Sequence, residues 1–325
     1  MERIRARRSS RSKSRSRLLK KSASGVLASL RGSTYRSVRL ASSLAAALLD
    51  DLFEQPVKAA ERALEAAGVN ASDLDLILLA TCTGDYPIPA TACLIQHRLG
   101  ATRAAACDLS AACCGFVYAL SVADAYVKTG MRHVLIVGSE VMSAITDWTD
   151  RNTCILFGDG AGAAVISASE NDRGILSTHL RSDGALCDLI AVPGGGSRLP
   201  PSEKVVAERM QYIKMKGNET FKVAVRNLEE VARETLAANH LRVEDLDLYV
   251  PHQANVRILK AVADRLGLSM EKVMLNLDRY GNTSAASIPI ALDEALRQGR
   301  IKDGSLVMLG AFGAGLTWAS ALIRW

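Results

Sequence analysis

An internal repeat narrows the fold more than any other feature of this chain. Ala60-Glu-Arg-Ala-Leu64, followed by Asp73-Leu-Asp-Leu76, recurs as Ala232-Arg-Glu-Thr-Leu236, followed by Asp245-Leu-Asp-Leu248. The offset, 232 minus 60, is 172. An apolar stretch ending at Val137-Gly138 recurs at the same offset as one ending at Leu309-Gly310. One short match would be chance; two stretches of the same expected type at one offset are not. A period this long far exceeds the roughly 20–50 residues of a solenoid unit. It predicts a duplicated α/β half-domain, the two similar halves packed face to face.

Between these anchors the chain alternates strand-like and helix-like segments. Helices are expected over 57–67, 90–99, 113–129, 219–238, 256–266 and 287–298. Strands are expected over 74–81, 104–108, 133–138, 162–167, 175–181, 246–251, 273–275, 305–311 and 316–323. Segment 57–67 is amphipathic and stops at Gly68, a helix-ending residue. Segment 74–81 is almost continuously apolar, as in a strand buried on both faces. Strands alternating with helices imply parallel sheets covered by helices. Sites in such sheets lie beyond the carboxyl ends of strands, so the residues just after each strand carry the chemistry.

Composition excludes several classes. No apolar run is long enough to span a bilayer. The seven cysteines, at 82, 93, 107, 113, 114, 154 and 187, form no pair with zinc spacing. Their odd number and scatter point to a reducing compartment and a thiol kept for chemistry. The net charge of +6 misleads about the body of the chain. Residues 1–48 hold thirteen Lys/Arg and one acid, a net of +12, so the remainder carries 6 minus 12, or −6. Tyr35 is the only aromatic in that head, which argues against nucleic-acid binding. Arg- and Ser-rich, then Ala- and Leu-rich, residues 1–52 have the composition of a transit peptide, and equally of a GC-rich reading frame translated out of register.

Three strand ends stand out. Ser110-Ala-Ala-Cys113-Cys114-Gly115 places two cysteines where a helix begins. Free N–H groups and the positive dipole end there lower a thiol's pKa and favour thiolate. The same pair also reads as small buried apolar residues. Pro251-His252-Gln253-Ala254-Asn255 puts a histidine after an apolar strand. Gly281-Asn282-Thr283-Ser284 is a turn before a helix, and each of its polar residues could serve as a simple cap. Adding the offset to Cys113 gives 285, so the Asn282 turn is the second half's copy of the cysteine turn. In a pseudo-twofold arrangement both turns face one central site.

These motifs, with Asp147-Trp148-Thr149-Asp150-Arg151, Phe157-Gly158-Asp159-Gly160-Ala161-Gly162 and Phe312-Gly313-Ala314-Gly315-Leu316-Thr317-Trp318, resemble β-ketoacyl-acyl-carrier-protein synthase III from about residue 57 to the end. The resemblance implies a thiolase-like α/β fold, two βαβαβ-type halves (residues 53–170 and 171–325) in a five-layer αβαβα arrangement. It implies a decarboxylating Claisen condensation of an acyl-CoA primer, by default acetyl-CoA, with malonyl-ACP, giving 3-oxoacyl-ACP, CoA and CO2 at the start of fatty acid synthesis. Cys113 would carry the acyl group, with Cys114 as packing. His252 and Asn282 would hold the malonyl thioester oxygen, and the N–H groups of Cys113 and Ala314 the acyl oxyanion. Phe312 would wall the malonyl pocket. Asn255 would support His252, which must be neutral, its ring N–H set by hydrogen-bond partners. Arg151, Lys222 and Arg257 would lie near the CoA nucleotide and an acidic carrier protein. Ile88 would enter a partner chain's acyl pocket, so a homodimer is expected. No cofactor or metal is implied beyond the CoA and phosphopantetheine substrates, and the location is cytoplasmic, or plastid stroma.

The resemblance fails at the start. The family opens with a strand, a Gly-rich turn, a Ser-Asp-Glu-Trp segment and an Arg-Thr-Gly-Ile segment, none of which occurs in residues 1–52. Out-of-frame translation or a truly divergent start would account for this, with loss of the opening strand; a transit peptide alone would not explain the missing strand. Three rivals are disfavoured: an acyltransferase to oxygen or nitrogen would lack Asn282, a thiolase would need a cysteine after Cys187, and a non-catalytic partner subunit would lack Cys113. The alternatives kept beside condensation are the acyltransferase and a homologue made inactive by its aberrant N-terminus. The glycines of 157–162 lack the pattern of a phosphate loop and read as a tight strand connection.

Overall fold

The computed structural model describes the backbone of Ser37–Ala45 and residues 54–169 and 173–325. The transit-peptide or out-of-frame reading of residues 1–52 falls largely outside them. In chain order the strands are β1 (Ser37–Ala45), β2 (Leu76–Ala80), β3 (Ala105–Leu109), β4 (His133–Glu140), β5 (Gly160–Ser169), β6 (Gly174–Ser182), β7 (Ile190–Ala191), β8 (Lys214–Met215), β9 (Leu248–Pro251), β10 (Leu306–Gly313) and β11 (Thr317–Arg324). The helices are α1 (Gln55–Ala67), α2 (Thr91–Arg98), α3 (Gly115–Lys128), α4 (Met142–Ile145), α5 (Glu203–Ala207), α6 (Gly217–Ala238), α7 (Val256–Leu266), α8 (Leu277–Tyr280) and α9 (Ser287–Arg297).

Period-two alternation builds the layers. In β2, Leu76, Leu78 and Ala80 join one core with Phe116 and Leu120 of α3 and Ile288 and Ala291 of α9. The intervening Ile77 and Leu79 join another with Val57, Ala60 and Leu64 of α1 and Ile95 of α2. In β10, Val307 and Leu309 face the α3–α9 core, while Leu306 and Met308 pack with Leu228 of α6 and Val262 of α7. Each sheet is therefore buried on both faces, which explains its unbroken apolar strands. The result is five layers: α1 and α2, the first sheet, α3 and α9, the second sheet, α6 and α7.

The first sheet runs β1-β5-β4-β2-β3 and the second β6-β11-β10-β9. β2 is parallel to β3 and β4, and β9 is parallel to β10. The repeat holds at atomic level. β2 and β9 begin at Leu76 and Leu248, and α3 and α9 at Gly115 and Ser287, each pair 172 apart. Short 3₁₀ turns precede these helices at Ala112–Cys114 and Ser284–Ala286. Both turns open on a residue in the left-handed region, Ala112 and Ser284, each at φ 48°.

Two expectations are corrected. Segment 37–45, within the region expected to lack a strand, has strand backbone, antiparallel to β5 from Ser37 opposite Ser169 to Ala45 opposite Ala161. This pairing satisfies backbone groups of β5 that would otherwise form a sheet edge. The strand expected over 273–275 is reduced to a bridge between Tyr249 and Val273. Gln253 takes the place of a strand partner: its side-chain amide donates to Met274 O (3.1 Å), and its Oε1 accepts from Asn276 N (3.0 Å). The 157–162 glycines form a tight connection as expected. A Cβ on Gly158 would lie 2.2 Å from Tyr280 O, so only glycine lets this segment pass the Asn282 turn.

Candidate active site

The two left-handed turns and two strand ends converge on one cavity of about 1160 Å³. Cys113, His252 and Asn282 line it together with Ser284, Phe312 and Ala314. Each arrives from a different element: Cys113 from the turn after β3, His252 from the end of β9, Asn282 from the turn before α9, and Phe312 and Ala314 from the end of β10.

Local structure fixes their orientation. Cys113 sits in the 3₁₀ turn that leads into α3, half-buried and lining the cavity. Its backbone is pressed against Gly313, where an added Cβ would stand 2.8 Å from Cys113 N. The Asn282 backbone is held by Asn282 N donating to Leu156 O (2.8 Å) and Gly158 N donating to Asn282 O (3.1 Å). Asn282 Oδ1 accepts from Ser284 N (2.9 Å), which leaves the side-chain NH2 as the donor for the cavity. His252 N donates to Gly310 O (2.7 Å), which anchors the histidine to the adjacent strand.

The electrostatics depart from expectation at the thiol. The start of α3 favours thiolate, but burial pushes the Cys113 thiol up to about 12; a hydrogen bond with Ser284 works against this, and the nearby Cys82 and Glu140 add to it. The resting thiol is therefore protonated. Burial holds His252 down to about 4, so its ring is neutral, as the sequence reading required. Its Nδ1, however, is buried with no hydrogen-bond partner among the described residues. Asn255 does not supply one: its Oδ1 accepts from Arg257 N (2.9 Å) and caps α7.

Basic residues sit on the same cavity. Arg151, Lys222 and Arg257 line it, as does Asn255. The turn that presents Arg151 is pinned by Asp147, whose carboxylate accepts from Arg209 Nη2 (2.6 Å) and Nε (2.9 Å) and from Thr149. The Arg209 hydrogen bonds, then Thr149's, hold that carboxyl well below the usual range. Ile88 is the one expected site residue that does not reach the cavity; it is 88% exposed, in the loop before α2.

Comparison with known proteins decides the family. The 3-oxoacyl-[acyl-carrier-protein] synthase III family model matches residues 107–184, and its C-terminal counterpart residues 236–325. The β-ketoacyl-[acyl-carrier-protein] synthase III of Alkalilimnicola ehrlichii is 54% identical over 277 residues, covering 85% of this chain and 84% of its own. The chain belongs to the β-ketoacyl-[acyl-carrier-protein] synthase III family. Among solved structures, the synthase III of Aquifex aeolicus superposes with a TM-score of 0.79 at 45% identity, covering 86% of each chain. That of Pseudomonas aeruginosa gives 0.80 at 37% identity, covering 89% of this chain and 98% of its own.

The synthase III site holds two polar residues that the sequence reading passed over. Ser284 was seen only as a cap, yet its side chain lines the cavity. Glu140, buried at 1% exposure, ends β4 and accepts a hydrogen bond from Ser284 Oγ (2.9 Å). The available signal was a glutamate closing an apolar strand, 172 residues before Phe312.

Proposed function

We propose that this synthase III chain condenses an acyl-CoA primer with malonyl-ACP through Cys113, His252 and Asn282. The family's reaction is the priming condensation of fatty acid synthesis, and this chain is an acyl-transferring condensing enzyme. One observation carries the assignment of residues: three chemically distinct side chains from three distant segments line a single cavity.

Cys113 attacks the primer thioester, keeps the acyl group and releases CoA. Its own N–H and that of Ala314 hold the oxyanion. Malonyl-ACP then enters, and its thioester oxygen accepts from the Asn282 NH2 and from the neutral His252 ring as CO2 leaves. Neither donor changes charge near neutral pH, so the hole stays intact there. Phe312 walls the malonyl side. Arg151, Lys222 and Arg257 attract CoA phosphates and an acidic carrier protein. Acetyl-CoA is the proposed primer, and the 192–202 loop with Ile88 sets the accepted chain length.

A homodimer is proposed on two grounds. β3 is a sheet edge with Ala105 and Cys107 exposed, and Ile88 projects from the same half without reaching its own cavity. Division into halves at about residue 170 is proposed because the first sheet draws only on strands before it and the second only on strands after it. No helix among the described residues is long and apolar enough to cross a membrane, and a cytoplasmic location is the working assignment. The test is mass spectrometry after incubation with acetyl-CoA: one acetyl group on the wild type and none on Cys113→Ala.

A further inference from the structure

Two walls of the cavity come from distant parts of the chain. Ile145 and Arg151 belong to the segment after β4; Ile190, Ile213 and Met215 belong to a strap closed at its base by the β7–β8 ladder. Two links join these walls. Ile213 N donates to Ile145 O (2.8 Å). Arg209, in the strap, gives its guanidinium fork to Asp147, Nη2 to Oδ1 (2.6 Å) and Nε to Oδ2 (2.9 Å). Such a two-point bond fixes direction as well as distance.

The Asp147 side of this pair is built inward. The carboxylate is buried, and Lys214 Nζ stands 3.6 Å from Oδ2 as a second cation. Oδ1 also accepts from Thr149 Oγ1 (2.6 Å) and Thr149 N (3.0 Å), and Asp150 N donates to Asp147 O (3.0 Å). The turn 147–150 is thereby held from beneath. On the other side Arg209 keeps φ at 55°, an uncommon value for a residue with a side chain, and its guanidinium lies 4.9 Å from the centre of the Tyr212 ring. What the turn holds outward is an indole and a cation. Trp148 is 64% exposed, whereas Trp318 and Trp325 pack against the cores. Arg151 is exposed and lines the cavity. A flat aromatic face beside a guanidinium suits a purine and its phosphates.

We propose that the Asp147–Arg209 pair is the positioning element for the nucleotide end of the acyl-CoA primer, acting through Trp148 and Arg151. This rests on the reading of acyl-CoA as the primer. The thioester end does not depend on the pair. Beyond Arg151 the chain is fixed separately, by Asn282 N donating to Leu156 O (2.8 Å) and Gly158 N donating to Asn282 O (3.1 Å). Cys113 arrives on the turn after β3. The base of the strap is held by Lys216 N donating to Leu189 O (2.9 Å).

The test compares two acetyl donors by rapid quench and the mass of Cys113-acetylated protein. Acetyl-CoA carries the nucleotide; S-acetyl-N-acetylcysteamine has the same thioester and the start of the arm but no nucleotide. Arg209→Gln removes the fork while Lys214 stays beside the carboxylate, so no buried charge is stranded. Arg209→Lys keeps the charge and loses the fork. Both replacements carry a Cβ, so φ at 55° costs no more than in the wild type. Arg209→Gln should raise half-saturation for acetyl-CoA about tenfold, with the rate at saturation unchanged. Arg209→Lys should fall between it and the wild type. Acetylation by the truncated donor should match the wild type in both. Unchanged half-saturation for acetyl-CoA overturns the proposal, with the primer reading left standing. Equal slowing with both donors also overturns it, since a loosened cavity would act on both. A wild type acetylated by the truncated donor and not by acetyl-CoA overturns the primer reading and the proposal with it.

Discussion

Replacing His252 by asparagine should flatten the pH dependence of stability by a calculable amount. Burial holds the folded-state His252 at about 4 against an ordinary value of 6.5. Between those values the unfolded chain binds more protons than the folded one, so stability rises with pH. The histidine's contribution is complete above 6.5 and is lost as pH falls toward 4. With these two values, proton linkage gives a loss of about 2 kcal/mol between about pH 7.5 and about pH 5. Urea titrations of wild type and His252→Asn at both pH values isolate the term, because the other titrating groups are common to both. The wild type should lose about 2 kcal/mol more than the variant. Equal losses would show that His252 takes up no extra proton on unfolding, and would refute the buried neutral imidazole on which its donor role rests.

Two further predictions probe the same cavity. Asn282→Asp keeps the acceptor for Ser284 N but removes the NH2 donor; condensation should fall about 10²–10³-fold while acetyl-Cys113 still forms, read as CO2 release beside the adduct mass. Gly313→Ala would press a methyl to 2.8 Å from Cys113 N; it should cost about 1–3 kcal/mol by denaturation and abolish acetylation, and wild-type acetylation would refute that close approach.

Much of the fold was legible because duplication and periodicity are both written in the sequence. The 172-residue offset predicted that the Asn282 turn copies the Cys113 turn; the structure adds that both open on a left-handed residue, Ala112 and Ser284. α7 was read at its observed bounds because Asn255 caps one end and Gly267, in the left-handed conformation, closes the other. The strand at 273–275 was misread because its apolar residues are right for a strand, while the Gln253 side chain occupies the backbone groups a partner would need. β1 was missed because residues 1–52 match no familiar opening, whereas a sheet edge selects for backbone more than for side-chain identity.

At the site, position after strand ends picked out Cys113, His252 and Asn282 as candidates, and the family resemblance supplied the roles proposed for them. Glu140 was invisible because a carboxylate at a strand end reads as exposed unless the partners that bury it, Thr83 and Ser284, are known to lie nearby. The protonated thiol was also misjudged. A helix start is a sequence feature, but the burial that outweighs it is a property of the assembled cavity.

The most direct measurement is the complete reaction in one vessel: this chain, acetyl-CoA and malonyl-ACP, with the carrier protein's mass followed over time. The account predicts conversion of malonyl-ACP to 3-oxobutanoyl-ACP with equal release of CoA and CO2, all lost in Cys113→Ala. Release of CoA without chain extension, or extension that survives Cys113→Ala, would contradict it.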